Sequence, residues 1–200
     1  MKYLRRIGIL CTTLVITSCA SLRPQLPEVQ IPPERISQKG YSLVPLNEKG
    51  WLIAGRNAYQ IALVKRGESP DETFAIQAIP FRLPTFKTHE EFVNIIKEGQ
   101  AKDTDPQRFK IVKQEVTDYL MKGTDCVKSH MITEDHSAVK ISGKSGKMIL
   151  EALTLTCAHP KDNNVGISII YSQRYYPGQR DAAFVEKATR VLNQVELTEL

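Results

Sequence analysis

Thr124-Asp-Cys-Val-Lys-Ser-His-Met-Ile-Thr-Glu134 and Met148-Ile-Leu-Glu-Ala-Leu-Thr-Leu-Thr-Cys157 read as two strands. They are separated by the polar stretch Ser137-Ala-Val-Lys-Ile-Ser-Gly-Lys-Ser-Gly-Lys147, the pattern of an antiparallel pair joined by a loop. A turn follows at His159-Pro-Lys-Asp-Asn-Asn164, where proline and short amides favour chain reversal. Beyond it Ile167, Ile169 and Tyr171 alternate within Val165 to Tyr175, a third antiparallel strand.

Upstream, Tyr59, Ile61 and Leu63 alternate, as do Phe74, Ile76 and Ala78, with Lys65-Arg-Gly-Glu-Ser-Pro-Asp71 between them as a hairpin loop. Thr88-His-Glu-Glu91 has the form of a capping box. After it Phe92, Ile95 and Ile96 recur at helical spacing, and Gly99 is a plausible stop. A second helix begins near Asp181 and carries Phe184, Val185, Ala188, Val191, Leu192 and Val195 as one stripe. Arg108 to Met121 is ambiguous between strand and helix, with strand favoured from Phe109 to Val116. The expected fold is a single α+β domain over residues 40–200, a mostly antiparallel sheet with two amphipathic helices covering a face.

Two hundred residues suit one domain of this kind. No apolar run approaches the ~20 residues of a membrane-spanning helix. The formal net charge of +5 suggests nucleic-acid binding until its distribution is read. Lys2, Arg5 and Arg6 lie in the first six residues, and no acidic residue precedes Glu28. From Gly40 onward there are 21 basic and 20 acidic residues. Counterion release needs a dense basic face, and a nearly neutral domain offers none, so no nucleic-acid partner is expected.

The leader carries the most specific signal. Met1-Lys-Tyr-Leu-Arg-Arg6 is a positive n-region, and Ile7 to Ile16 is an apolar run of ten residues, short for a bilayer and adequate for export. Ile16-Thr-Ser-Cys19 follows and resembles the lipobox of bacterial lipoproteins. The resemblance covers about the first twenty residues. It implies that residues 1–18 are removed, that Cys19 receives diacylglycerol on sulfur, and that the new amino terminus is acylated. Ala20, where Asp usually signals inner-membrane retention in that family, points to the outer membrane of a Gram-negative cell. The alternative is an ordinary cleavable signal, with Ser18-Cys19-Ala20 as its small-residue cleavage region. Three acyl chains hold a protein almost permanently, where one chain is marginal.

Pro24, Pro27, Pro32 and Pro33 punctuate the next stretch. Proline fixes φ and removes donors, so residues 19–39 are expected to form an extended tether reaching on the order of 55 Å. Cys11 leaves with the leader and Cys19 is lipidated, which leaves Cys126 and Cys157 in an oxidising compartment. Their expected disulfide places Cys126 opposite Cys157 and Glu134 near Ile149 in antiparallel register. A reactive thiol pair is the alternative, without CxxC spacing to support it.

A search for chemistry gives little. Ala138-Val-Lys-Ile-Ser-Gly-Lys-Ser145 matches a relaxed phosphate-binding loop, but a β-type run follows where a helix is needed; a flexible polar hairpin loop is expected. His89 and His159 read as solvated. His130 and His136, six apart on one strand, would lie ~20 Å apart, too far for one ion unless the chain bends after Thr133. No catalytic set, metal site or cofactor is assigned. The best recognition surface is Tyr171, Arg174, Tyr175 and Tyr176, residue types enriched at binding hot spots; the alternative has the tyrosines capping the core. The expected function is a lipid-anchored, periplasm-facing envelope protein whose non-catalytic domain binds a protein, peptide or glycan. The alternatives are an anchored hydrolase-like enzyme and a small-molecule carrier.

Overall fold

The computed structural model describes residues 25–121 and 123–200. Three long strands form its centre: β7 (Thr124–Asp135), β8 (Met148–His159) and β9 (Asp162–Tyr175). The register expected from the cysteines is the one present. Cys126 faces Cys157 and Glu134 faces Ile149, and the two cysteines form a disulfide in the buried core. β6 (Phe109–Met121) pairs with β7 along its length. The strand favoured for Phe109 to Val116 therefore runs five residues further.

On the other side of β9 lie β5 (Thr73–Arg82), β4 (Ile61–Arg66) and β3 (Leu52–Arg56). The result is a seven-stranded antiparallel sheet in the order β3-β4-β5-β9-β8-β7-β6. A small second sheet, not foreseen from the sequence, joins β1 (Ile36–Gln38), β2 (Tyr41–Leu43) and β10 (Glu196–Leu197). Strands of two or three residues are too short to show a period.

The domain begins earlier than expected. Of the residues assigned by their prolines to the tether, 27–29 pack on the edge of β3 and 36–38 form β1 of the second sheet. The Pro27 carbonyl accepts from Ile53 N at 2.7 Å, Val29 N donates to Trp51 O at 2.8 Å, and Val29 and Ile36 are buried. Proline removes a donor but keeps its carbonyl, and the carbonyl is what this edge uses.

The two helices do not share a face of the sheet, which corrects the expected arrangement. α2 (Phe184–Leu192) presses Phe184, Ala188, Val191 and Leu192 onto one face, where they meet Ile76, Leu155, Ile169, Tyr171 and the disulfide. Val185, expected in the same stripe, is exposed. Asp181 lies before the helix, its Oδ1 accepting from Ala183 N at 2.8 Å in the turn that leads into it, and no side chain caps the first turn. α1 (His89–Asp103) lies on the opposite face, with Phe92, Val93 and Ile96 against Val127, Ala158 and Leu83.

The start of α1 follows its sequence signal. Thr88 Oγ1 accepts from Glu91 N at 3.2 Å, and the Glu91 carboxylate accepts from Lys87 N at 2.6 Å, one residue before the usual reciprocal position. Gly99 does not end the helix. The chain continues to Asp103 and closes where Thr104 Oγ1 donates to Gln100 O at 2.8 Å. A helix tolerates one interior glycine at about 1 kcal/mol.

Candidate functional site

Strand alternation sends Ile76, Leu155, Ile169 and Tyr171 towards α2 and their neighbours towards α1. Those neighbours are themselves largely apolar: Ile79 on β5, Ile170 on β9, Leu150 and Ala152 on β8, and Met131 on β7. The buried residues of α1, Phe92, Val93 and Ile96, all lie in its first half, and its second half reaches the sheet through Gln100, whose amide donates to Ser129 Oγ at 2.8 Å. Between the helix and the uncovered strands runs a groove of about 810 Å³. Ile95, Ile96 and Gly99 form its roof. Thr154, Thr156, Ser168 and Ser172 interrupt its floor with hydroxyls, and Arg82, Lys102, Glu98 and Asp103 stand around it.

One end of the groove is closed by the Phe81 ring, which lies over Gly166 on β9. Phe81 and Gly166 are register partners, and a Cβ built on Gly166 would sit 2.2 Å from the ring. Only glycine permits that approach. Fixed apolar strands beside a helix and a volume within the usual range for small-molecule sites make this groove a candidate binding site. A second cleft of similar volume, about 820 Å³, lies against Lys65, Arg66, Glu68, Glu72, Arg180 and Asp181 and is lined mainly by charged groups.

The α2 face carries charge instead, and that charge is already committed. Glu151, fully buried on β8, accepts from Arg180 through Nε at 2.7 Å and Nη2 at 2.8 Å. Its remaining partners are the Tyr175 hydroxyl at 2.9 Å and His130 Nε2 at 2.8 Å. Burial alone would raise the Glu151 pKa, but hydrogen bonds from Arg180, His130 and Tyr175 outweigh it and hold the carboxyl below its ordinary value. On the α1 face Asp135 is likewise buried and likewise depressed. Its burial is overcome by the Arg108 fork, both bonds at 2.9 Å, and by Arg174 at 3.2 Å. Carboxylates so fully paired are structural, since a general acid or base needs a pKa near the working pH.

A third buried carboxylate explains the loop that resembled a phosphate cradle. Asp71 accepts from Ile141 N at 2.5 Å, from Ser142 N at 2.9 Å, from the Ser142 hydroxyl, and from Tyr176 OH at 2.8 Å. The Ser142 hydroxyl, with those amides and Tyr176, holds Asp71 well below the usual carboxylate range. The anion that the loop amides bind is supplied by the protein itself. β8 follows the loop, so no helix N-terminus is present to hold phosphate.

The expected recognition surface is not formed by its four residues. Tyr171 is buried at the centre of the α2-side core, its ring centroid 5.4 Å from that of Phe184. Tyr175 is also buried, on Glu151. Arg174 points to the other face and pairs with Asp135, and Tyr176 is half-buried on Asp71. The capping alternative describes these tyrosines better: aromatic size favours burial on a central strand, and the Tyr175 and Tyr176 hydroxyls find carboxylate partners in Glu151 and Asp71. Cys19 lies outside the described residues.

Two histidines expected in solvent are held in place. His159 is buried, its Nδ1 accepting from Lys161 N at 3.2 Å and its Nε2 facing Thr198 O at 2.8 Å. His89 Nδ1 lies 2.8 Å from Asp125 Oδ1, and this bond raises its pKa above the ordinary value. His130 is taken by Glu151, and His136, past the end of β7, lies 3.5 Å from Glu134.

Sequence reasoning missed the groove, though β8 carried a signal for it. Leu150 and Ala152 alternate with Leu153 and Leu155, so the strand is apolar on both faces, which an antiparallel strand with one solvated face is not.

No family model matches the chain, and no curated protein matches it. The solution structure of cyanobacterial PsbP from Synechocystis sp. PCC 6803 aligns over 92% of this chain and 99% of that chain, at 15% identity and a TM-score of 0.43.

Proposed function

We propose that the chain is a lipid-anchored cell-envelope protein, facing the periplasm from the outer membrane, whose domain binds an apolar ligand in the groove beneath α1 without transforming it. The observation that carries this reading is the groove itself, an apolar floor across four strands left open beside a helix. A glycan would bring hydroxyls that Leu150, Ala152 and Ile170 cannot satisfy, at a cost for each buried polar group left without a partner. An amphiphile suits the lining better, its apolar body on those side chains and its polar end among the serine and threonine hydroxyls. The small-molecule carrier is thereby favoured over the enzyme.

The lipobox-like Ile16-Thr-Ser-Cys19 supports anchoring. Seven residues lie between Cys19 and Pro27, where the domain begins, so an extended linker reaches ~25 Å. That keeps the domain close to the bilayer and its ligand search local.

Titration with an environment-sensitive apolar fluorophore tests the groove. The wild-type protein should give a saturable rise in emission, and Ala152→Trp, which fills the middle of the floor, should abolish it with the fold intact. A variant that binds the fluorophore as well as wild type would contradict the assignment.

A further inference from the structure

The two most exposed large apolar side chains among the described residues, Val139 at 83% and Ile141 at 65%, sit two residues apart in the β7–β8 loop. The same loop, residues 137–147, contains Lys140, Lys144 and Lys147 and no acidic residue. Lys147 pairs with Glu134, whereas Lys140 meets only the Gly146 carbonyl and Lys144 lies over the Tyr176 ring at 5.5 Å. Two of the three ammonium groups therefore have no carboxylate partner.

Exposure of Val139 and Ile141 is not a matter of slack chain. Asp71 grips the Ile141 and Ser142 amides and the Ser142 hydroxyl from 70 residues away in sequence, Tyr176 braces the same carboxylate, and Ala138 is buried at the base. The loop is pinned through its backbone, with its aliphatic side chains directed into solvent. A folded chain gains nothing by fixing two aliphatic groups in water.

We propose that this loop is a second membrane contact: Val139 and Ile141 enter the headgroup region of an anionic phospholipid bilayer while Lys140 and Lys144 lie among its phosphates. Apolar insertion beside basic residues is how peripheral segments hold an anionic surface. The contact is separate from the groove and from acylation of Cys19. It would fix the orientation of a domain that a tether alone leaves free to rotate.

The test uses the full chain as the cell makes it, carrying Val139→Trp or, as a second probe, Ile141→Trp. Each is mixed with phosphatidylcholine vesicles, with and without phosphatidylglycerol, containing lipids brominated on the acyl chain. The wild-type protein, whose Trp51 is buried, supplies the baseline. The expected result is bromine quenching of the loop tryptophan on phosphatidylglycerol vesicles, and little on phosphatidylcholine alone. Adding Lys140→Gln and Lys144→Gln should weaken it by about five-fold per lysine. Protein that floats with both vesicles but shows no quenching overturns the proposal and leaves the anchor standing, freeing the lysines for an acidic macromolecule. Equal quenching on both vesicles also overturns it, since the lysines would then be idle. Flotation and quenching only with phosphatidylglycerol uphold the loop contact and remove the anchor. Neither flotation nor quenching overturns both.

Discussion

Glu151 and Arg180 meet through two hydrogen bonds of 2.7 and 2.8 Å, the carboxylate fully buried and the guanidinium side chain 38% exposed. The pair ties the first part of β8 to the segment that leads into α2. Removing Arg180 leaves a buried carboxylate with only His130 and Tyr175. Fully buried pairs cost 3–5 kcal/mol to break in this way; screening at the exposed guanidinium lowers the expected loss for Arg180→Ala to about 2 kcal/mol in urea unfolding. Glu151 has a lower pKa in the fold than in the unfolded chain. Its contribution is therefore complete above the unfolded value, about 4.3, and is lost as the pH falls through the folded one. Glu151→Gln should flatten that acid limb of the stability profile, and an unchanged limb would show that Glu151 does not drive it.

The disulfide joins strands that are already paired, so its effect lies mainly in the unfolded chain. Closing 31 residues of sequence contributes about 3.5 kcal/mol in the chain-entropy estimate. Cys126→Ser with Cys157→Ser should lower the Tm by the corresponding amount and leave the far-ultraviolet circular dichroism of the folded state intact. A reductant should shift the Tm of wild type and leave that of the double variant unchanged.

These two features also mark how far the sequence could be read. The three central strands were legible because turn residues bound them and two cysteines fix one register, which a slip of a single residue would break. The side of the sheet taken by each helix was not legible. An apolar stripe such as Phe92, Val93 and Ile96 shows that a helix is covered, but not which face of the sheet covers it. Tyr171 and Tyr175 misled for a related reason, because residue type makes a tyrosine suited equally to a core and to an interface. Glu151 left a trace, as a charged residue inside an apolar strand, but its partners Arg180 and Tyr175 are 29 and 24 residues away and come together only through the fold.

Gly166→Ala puts a methyl group where the Phe81 ring lies. The ring must swing away, opening the end of the groove and uncovering Leu83 and Ala158 beside it. Overpacking of this kind costs about 1–3 kcal/mol. Combining the change with Phe81→Ala should recover part of the loss, as expected for two side chains competing for one space, and thermal unfolding of the four proteins measures the coupling.

Cys19→Ala removes the sulfur that acylation needs. The protein should then be found unprocessed or free of the membrane fraction, and intact mass should show no fatty acid. Full processing together with continued recovery in membranes would remove lipid anchoring from the proposed function.

The central proposal is that ligand occupies the α1 side of the sheet. Methyl-selective nuclear magnetic resonance during titration with an apolar amphiphile tests it directly, because successive residues of one strand report on opposite faces. Leu150, Ile170 and Ile79 should shift with saturation, while Leu155, Ile169 and Ile76 on the α2 face stay in place. Shifts confined to the α2-side methyls, or none at a saturating amphiphile concentration, would contradict it.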